Sequence, residues 1–169
     1  MHSSPPLVVM DYVGPSIGAA IFVLMMSFVT EPARRSFNAI FVAGASGVYL
    51  SGGFGPWELL YPAITAPVVY IGLRSYRFIG LAWLMHSCWD LVHHVWGNPI
   101  WPFMPTSSFG CMIFDALIAA WFIAGAPSIL TFVSGRQVAP TIQSRRRNRR
   151  FRPGGRPVEF HFVASSLRK

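Results

Sequence analysis

The sequence contains few charged residues and only two cysteines. Charged residues make up 12% of the 169 positions, whereas 53% are hydrophobic and the mean hydropathy is +0.45. This balance is typical of membrane proteins and argues against a soluble domain. Cys88 and Cys111 are too few for the disulfide framework that stabilises small secreted domains. The composition therefore predicts one transmembrane domain.

Positive charge is scarce outside the C-terminal segment. Ten of the fourteen Lys and Arg residues lie between Arg136 and Lys169, while residues 1–134 carry four basic and five acidic groups. We therefore divide the chain into a transmembrane domain over residues 1–134 and a basic cytoplasmic tail over residues 135–169. The first residues lack the basic region of a secretory signal peptide, so the first apolar segment is expected to be retained as a helix.

Five apolar segments have about the length that a helix needs to cross the roughly 30 Å hydrocarbon core of a bilayer. The second segment is short, the fifth is long, and glycine or proline marks most of the breaks between them. The predicted fold class is therefore all-α, a polytopic membrane bundle of five transmembrane helices. The segments are Tyr12–Val29, Phe37–Leu50, Trp57–Leu73, Tyr76–Trp96 and Phe109–Val133.

The distribution of arginine predicts the orientation of this bundle. Cytoplasmic loops of membrane proteins are enriched in Lys and Arg. Arg34 and Arg35 mark the first loop, Arg74 and Arg77 mark the third, and the basic tail follows the fifth segment. The N-terminus is therefore expected outside and the C-terminus inside. The expected location is the plasma membrane, which in a bacterium is the inner membrane.

Four ionisable side chains interrupt the fourth segment, in the sequence HSCWDLVHH. Each costs at least about 2.5 to 3.5 kcal/mol in hydrocarbon, so the group requires a compensating arrangement. At about 100° per residue, His86, Asp90, His93 and His94 occupy roughly 100° of the helix surface. The polar site of the protein is therefore expected on this face.

Two acidic residues on other segments are the expected partners of this face. Asp90 and Asp115 each lie about 9 Å from the outer end of their helix, so the two carboxylates share one depth. The fourth and fifth segments are consecutive, which favours antiparallel contact between them. Glu58, near the outer start of the third segment, can close the site from above.

Imidazole and carboxylate groups are good ligands for zinc, iron or manganese. The pair Asp90-x-x-His93 resembles the carboxylate-x-x-His pairs that hold metals inside helical bundles. Haem is not expected, because the intramembrane histidines all lie on one segment and an axial pair needs two sides. The predicted metal ligands are His86, Asp90, His93 and Asp115, and the predicted acid/base groups are Asp115, His94 and Glu58.

Other interpretations of the cluster stay open. The same groups can form a metal-free acid/base site or a proton or ion pathway, or can fix helix registry by hydrogen bonds. The uncharged, aromatic loop GNPIWPFMPTSS favours a lipid-like substrate over a charged soluble one. The protein is thus either a metal-dependent or acid/base membrane enzyme, or a non-catalytic membrane protein whose cluster is structural or docks a partner.

The basic tail predicts contact with membrane lipids. A polybasic run directly after a cytoplasmic helix end binds anionic headgroups at about 1 kcal/mol per residue. Nothing in the tail indicates base recognition, so nucleic acid is not an expected partner. Small residues at four-residue spacing in three segments favour tight helix packing, with a homo-oligomer as the alternative. The arginines of the run are Arg145, Arg146, Arg147, Arg149, Arg150 and Arg152.

Several stretches resemble one known family. They are WLMHSCWDLVHHVWGNPIWPFMPTSSFGC over Trp83–Cys111, and the shorter DYVGPSIGA, EPARRSFNAIFVAG and YRFIG. Over about residues 11–133 the chain resembles a family of small bacterial and fungal integral membrane proteins that is known only as a domain of unknown function. The resemblance implies a multi-span membrane protein and supplies no reaction, substrate or cofactor. The tail after Ser134 departs from that family.

Overall fold

The structure is a computed structural model that describes residues 6–49 and 53–130. Within these ranges the chain forms five α-helices and one short 3₁₀ helix, and it contains no β-strand. The all-α class predicted from the sequence is therefore confirmed. The helices are α1 (Val9–Phe28), α2 (Ala33–Ala45), the 3₁₀ helix (Gly55–Leu59), α3 (Leu60–Gly72), α4 (Tyr76–Trp96) and α5 (Ser107–Ile123).

The second helix begins and ends earlier than the predicted segment Phe37–Leu50. After Ala45 the amide of Gly47 donates to Gly44 and the amide of Val48 donates to Ala45, both at 3.0 Å. These tighter bonds end the α-helix and turn the chain. Tyr49 follows this turn and points inward, with 2% of its surface exposed.

The fifth helix is shorter than the predicted segment Phe109–Val133, of which residues 131–133 lie outside the described ranges. Gly125 and Ala126 have positive φ angles of 95° and 51°. The amide of Ala126 donates to the carbonyl of Trp121 at 2.9 Å, which closes the last turn in the manner of a Schellman motif. The helix therefore ends at Ile123.

The helices pack around α4, which lies along α5 and also contacts α3 and α2. α1 packs against α5 on the other side. The apolar core lies mainly between α4 and α5, where Gly80 allows the two backbones to approach closely. A Cβ atom added at Gly80 would lie 2.8 Å from the carbonyl oxygen of Ala119. The fully buried apolar core residues include Val42, Ile79, Ala82, Ile118 and Phe122.

The loops between the helices gather at two ends of the bundle. At the arginine end, defined by Arg34 and Arg74, the Arg34 Nε donates to the hydroxyl of Tyr76 at 2.9 Å and joins the starts of α2 and α4. At the tryptophan end, defined by the exposed Trp57, Trp96 and Trp101, the side chains lie in or beside the other loops. The two described loops that carry basic residues therefore lie at the same end.

Large apolar side chains cover the outside of all five helices. Among the described helices, α1 is the one that is both long enough and apolar enough to cross a membrane, with 20 residues. α4 is long enough but its mean hydropathy is too low, and the other helices are too short. This gives limited support for membrane association, and the five-span arrangement stays a prediction. The exposed side chains include Ile17, Ile40, Ile64, Leu91 and Leu117.

The basic tail predicted over residues 135–169, with its six clustered arginines, lies outside the described residues.

Candidate metal centre

Three side chains from α4 and α5 meet inside the bundle. His86 Nδ1 lies 2.8 Å from Asp115 Oδ2 and 3.4 Å from Asp90 Oδ2. One potential ligand atom from each residue lies within 4.8 Å of the others, and all three residues are buried. Metal–ligand bonds of about 2.0–2.2 Å place neighbouring ligand atoms roughly 3–3.5 Å apart. The three residues could therefore hold one metal ion.

The helix geometry brings these residues together. His86 and Asp90 are four residues apart on α4, so they share one face of the helix. Asp115 lies on α5, which runs beside α4. The two backbones also approach closely at Gly80 and Ala119, which lie about one to two helical turns from His86 and Asp115.

His86 is held by the backbone of α2 as well. Its Nε2 lies 2.9 Å from the carbonyl oxygen of Ala45. A carbonyl oxygen only accepts, so this hydrogen-bond network assigns a hydrogen to Nε2. Histidine ligands of metals are commonly oriented by such a bond from the second ring nitrogen. Nδ1 then faces the Asp115 carboxylate, a contact that needs either a proton or a cation between the two atoms.

Asp90 is fully buried, and only one of its two carboxylate oxygens accepts a hydrogen bond from a described residue. Its Oδ1 accepts a hydrogen bond from the hydroxyl of Tyr49 at 2.7 Å. Its Oδ2 has no hydrogen-bond partner among the described residues and lies 3.4 Å from His86 Nδ1. A buried carboxylate oxygen without a donor is costly. This oxygen therefore has room for a further partner, which can be a proton shared within the group or a bound cation.

The charges of the three residues do not balance unless one carboxylate is protonated or a cation is bound. Among the described residues, no Lys or Arg forms an ion pair with Asp90 or Asp115. Even with a protonated His86, two ionised carboxylates would leave one net negative charge in a buried space. A divalent cation bound to two carboxylates and a neutral imidazole leaves no net charge, and buried charges persist only when they are compensated in this way.

A second buried pair adjoins the three residues on the side of the tryptophan end. His93 Nε2 lies 3.2 Å from Glu58 Oε2, and both residues are at most 2% exposed. The Glu58 Oε1 accepts from the amide of Phe54 at 3.1 Å. The ring of His93 stacks on Tyr49, with centroids 3.7 Å apart. His93, a predicted ligand, is therefore outside the three-residue group and is linked to Asp90 through Tyr49.

His94 points in another direction, although the sequence predicts it as an acid/base group. Its ring centroid lies 5.2 Å from that of Phe109, and it interacts electrostatically with Asp11 at the start of α1. The structure thus gathers His86, Asp90 and Asp115, places His93 and Glu58 beside them, and separates His94 from the group.

Sequence reasoning did not identify Tyr49 or the carbonyl of Ala45. Both contact the site from the end of α2, which lies more than 35 residues away in the chain from His86 and Asp90. A single tyrosine at the end of an apolar segment carries no distinctive pattern. The one indirect signal is that a buried aspartate requires a hydrogen-bond donor.

An apolar cavity of about 800 Å³ reaches the three-residue group from the side of the bundle. His86 and Asp115 line its inner wall, while Gly44 and Phe41 of α2 and Phe114 of α5 line the rest with other apolar residues. Its volume falls in the range of small-molecule sites, which are mostly apolar with a few polar groups. The arrangement suits an apolar ligand whose polar group meets His86 and Asp115.

The chain belongs to a family of unknown function, DUF6010, whose family model matches residues 10–128. The match includes every residue of the site described above. No curated protein and no solved structure matches the chain. The resemblance to an uncharacterised family that the sequence indicated is therefore confirmed, and the family itself provides no reaction or ligand.

Proposed function

We propose that this member of the DUF6010 family is an integral membrane protein in which His86, Asp90 and Asp115 bind a divalent metal ion and act on a lipid-like substrate. The proposal rests on one observation. The Oδ2 atom of Asp90 is buried, has no hydrogen-bond partner among the described residues and lies 3.4 Å from His86 Nδ1. Zinc, iron and manganese all accept this set of one imidazole and two carboxylates.

The distribution of side chains supports a membrane location. Ionisable groups lie inside the bundle, whereas large apolar side chains lie outside on every helix. Soluble monomers rarely expose extensive apolar surface, and intramembrane ionisable groups almost always face the bundle interior. α2 and α3 have 13 residues each, about 20 Å, so each needs its adjoining turns to span the bilayer. We propose five spans with the arginine end in the cytoplasm.

The residues at the cavity wall have distinct roles in this proposal. His86 is oriented by Ala45, and Asp90 is oriented by the hydroxyl of Tyr49, so both ligands are fixed before a substrate binds. Asp115 lines the cavity and can either bind the metal as well or exchange a proton with the substrate. A divalent ion held by these three residues would supply Lewis-acid chemistry to a bound substrate. Glu58 and His93 hold Tyr49 in place from the other side.

Two alternatives rest on the same geometry. The 2.8 Å contact between His86 and Asp115 also suits a metal-free acid/base pair. The hydrogen bonds from Tyr49 and to Ala45 equally suit a cluster that only fixes helix packing or docks a partner. Both alternatives require no metal, so metal binding separates them from the proposed function.

The first prediction is stoichiometric metal binding. The protein is purified in detergent with chelator-treated buffers and titrated separately with Zn²⁺, Fe²⁺ and Mn²⁺, and bound metal is measured by elemental mass spectrometry. We expect one ion per chain for at least one of the three metals, because three buried ligand atoms lie within 4.8 Å of one another. Protein that remains helical and monodisperse but binds none of the three at stoichiometric level would overturn the metal proposal.

The second prediction concerns topology. In a variant without the native cysteines, a new cysteine replaces either Phe103, which is 80% exposed near the tryptophan end, or Arg74 at the arginine end. A membrane-impermeant maleimide added to spheroplasts should label F103C directly and R74C only after permeabilisation, because only the first faces the outside. The reverse pattern contradicts the orientation, and equal labelling of soluble protein contradicts the membrane location.

We propose that the six tail arginines bind anionic headgroups on the cytoplasmic side.

A further inference from the structure

α1 and α2 contact each other near the arginine end and separate from there. Asn38 Nδ2 lies 3.3 Å from the sulfur of Met26, and Phe22 stacks on Phe41 with ring centroids 6.0 Å apart. Farther along, α1 packs against α5 and α2 packs against α3 and α4, without an extensive contact between α1 and α2 in the described residues. A cleft therefore opens between them toward the tryptophan end.

The 800 Å³ cavity lies on the α2 side of this cleft and is lined by residues of α2, α4 and α5. Ile40, Gly44 and Val48 line it on the α2 side, and Phe114 lines it on α5. Ile40 is 68% exposed, so the cavity opens to the surface of the bundle. If this surface faces lipid, as the proposed function requires, the opening connects the bilayer directly with the polar group.

A second cavity of about 440 Å³ adjoins the first and extends the space toward α1. The two cavities share Trp101, Cys111 and Phe114 as lining residues. Gly14 and Pro15 of α1 line its far side. The two cavities thus adjoin at Trp101, Cys111 and Phe114, and an extended apolar chain is the ligand shape that suits both.

The residues that line the two cavities indicate which polar group the ligand carries. No described Lys or Arg lines either cavity, so nothing there balances a carboxylate or phosphate head. Once a divalent ion balances the two carboxylates, a cationic head has no partner at His86 and Asp115. Asp11, which lines the second cavity, already accepts hydrogen bonds from the Val8 amide and the Thr106 hydroxyl. An uncharged hydroxyl group can donate to a carboxylate and can bind a metal ion through its oxygen.

We infer that the substrate is a single-chain amphiphile with an uncharged oxygen head, such as a long-chain alcohol, which enters sideways from the membrane through the opening between α2 and α5. This inference rests on the proposed function for the identity of the polar site. The two cavities, which no described Lys or Arg lines, support the remainder of the inference.

Gly44 provides a direct way to block this route. A Cβ atom added at Gly44 would meet nothing within 4 Å, so a larger side chain can extend into the cavity without displacing the backbone. Gly44→Phe should fill the space beside His86, whereas Gly44→Ala should leave it open. Ile40→Trp, at the mouth, is a second blocking variant. Ala63→Phe, on the exposed surface of α3, is the matched control for added bulk.

The probe is 11-bromoundecanol, because its bromine quenches tryptophan fluorescence. Trp83 and Trp101 both line the larger cavity, so binding there should reduce their fluorescence. The metal-loaded protein in nanodiscs of neutral phosphatidylcholine is titrated with this alcohol and with the corresponding carboxylic acid and trimethylammonium compound. We expect saturable quenching by the alcohol, at least ten-fold weaker binding of both charged compounds, and a loss of at least ten-fold in Gly44→Phe and Ile40→Trp. Gly44→Ala and Ala63→Phe should match the wild type.

The outcomes separate this inference from the metal proposal. Equal or tighter binding of a charged compound overturns the uncharged head, and unchanged quenching in folded Gly44→Phe and Ile40→Trp overturns the route. Metal content is measured in the same samples. If metal is bound and the blocking variants have no effect, the inference fails alone. If no metal binds but the blocking variants abolish saturable quenching by the alcohol, the route stands and the metal proposal fails.

Discussion

Replacing His86 with alanine is expected to reduce the affinity for the metal by at least about 100-fold, since loss of a residue that only orients a ligand already costs 10–100-fold. The imidazole is the single nitrogen donor of the group, and its Nδ1 lies within 3.4 Å of both carboxylates. Without it, two carboxylates remain in a buried space with one ligand fewer. Asp90→Asn should produce a comparable loss, because it keeps the size of the side chain and removes its charge.

His94→Gln is the matched control for this prediction. His94 is on the same helix and contacts Phe109, away from the three-residue group. Its replacement should leave metal affinity within about two-fold of the wild type, measured by competition with a chelator of known affinity. Equal losses in His86→Ala and His94→Gln would contradict the assignment of ligands. Circular dichroism of each variant separates loss of the ligand from loss of the fold.

Replacing Gly80 with alanine is expected to destabilise the protein by about 1–3 kcal/mol, the usual cost of overpacking a close-packed interior. The added Cβ would lie 2.8 Å from both the Ala119 carbonyl oxygen and the Ile123 amide nitrogen, and 2.7 Å from Ile123 Cγ1. Backbone atoms of a helix cannot turn aside as a flexible side chain can. α4 and α5 must therefore move apart, which also lengthens the contact between His86 and Asp115.

Gly44→Ala is the control for the Gly80 prediction, because both glycines lie within helices. At Gly44 the new methyl group meets nothing within 4 Å. Alanine is favoured over glycine inside a helix by roughly 0.5–1 kcal/mol, so this variant should be at least as stable as the wild type. Stability is measured by unfolding the detergent-solubilised protein with heat and with denaturing detergent. A Gly80→Ala variant as stable as Gly44→Ala would show that the two backbones are farther apart than described.

Local sequence patterns were sufficient for the helices and for one face of the site. The fourth predicted segment and α4 coincide at Tyr76–Trp96, because the apolar run is bounded by Ser75 and Gly97. The face that carries His86 and Asp90 follows from the rotation of the helix, about 40° between residues four apart. The depth of Asp115 follows from the helical rise per residue. These quantities depend only on the geometry of a single helix.

The choice between His86 and His93 as partner of Asp115 required tertiary structure. The two histidines lie only about 20° apart around α4, so rotation alone does not distinguish them. The residues that surround each histidine make the difference. His86 contacts Ala45 and Asp115, whereas His93 contacts Glu58 and Tyr49. These contacts join residues that are distant in the chain, and no local pattern encodes them.

The sequence by itself determined an all-helical protein with a buried cluster of histidine and aspartate, because burial of ionisable groups and helical periodicity are local properties of the chain. Only the tertiary structure decided which members of HSCWDLVHH form one group, that Tyr49 donates to Asp90, and that an apolar cavity opens beside His86. These features depend on how α2 and α5 pack against α4. Helix packing is set by side-chain shape over the whole bundle, as the contact at Gly80 illustrates.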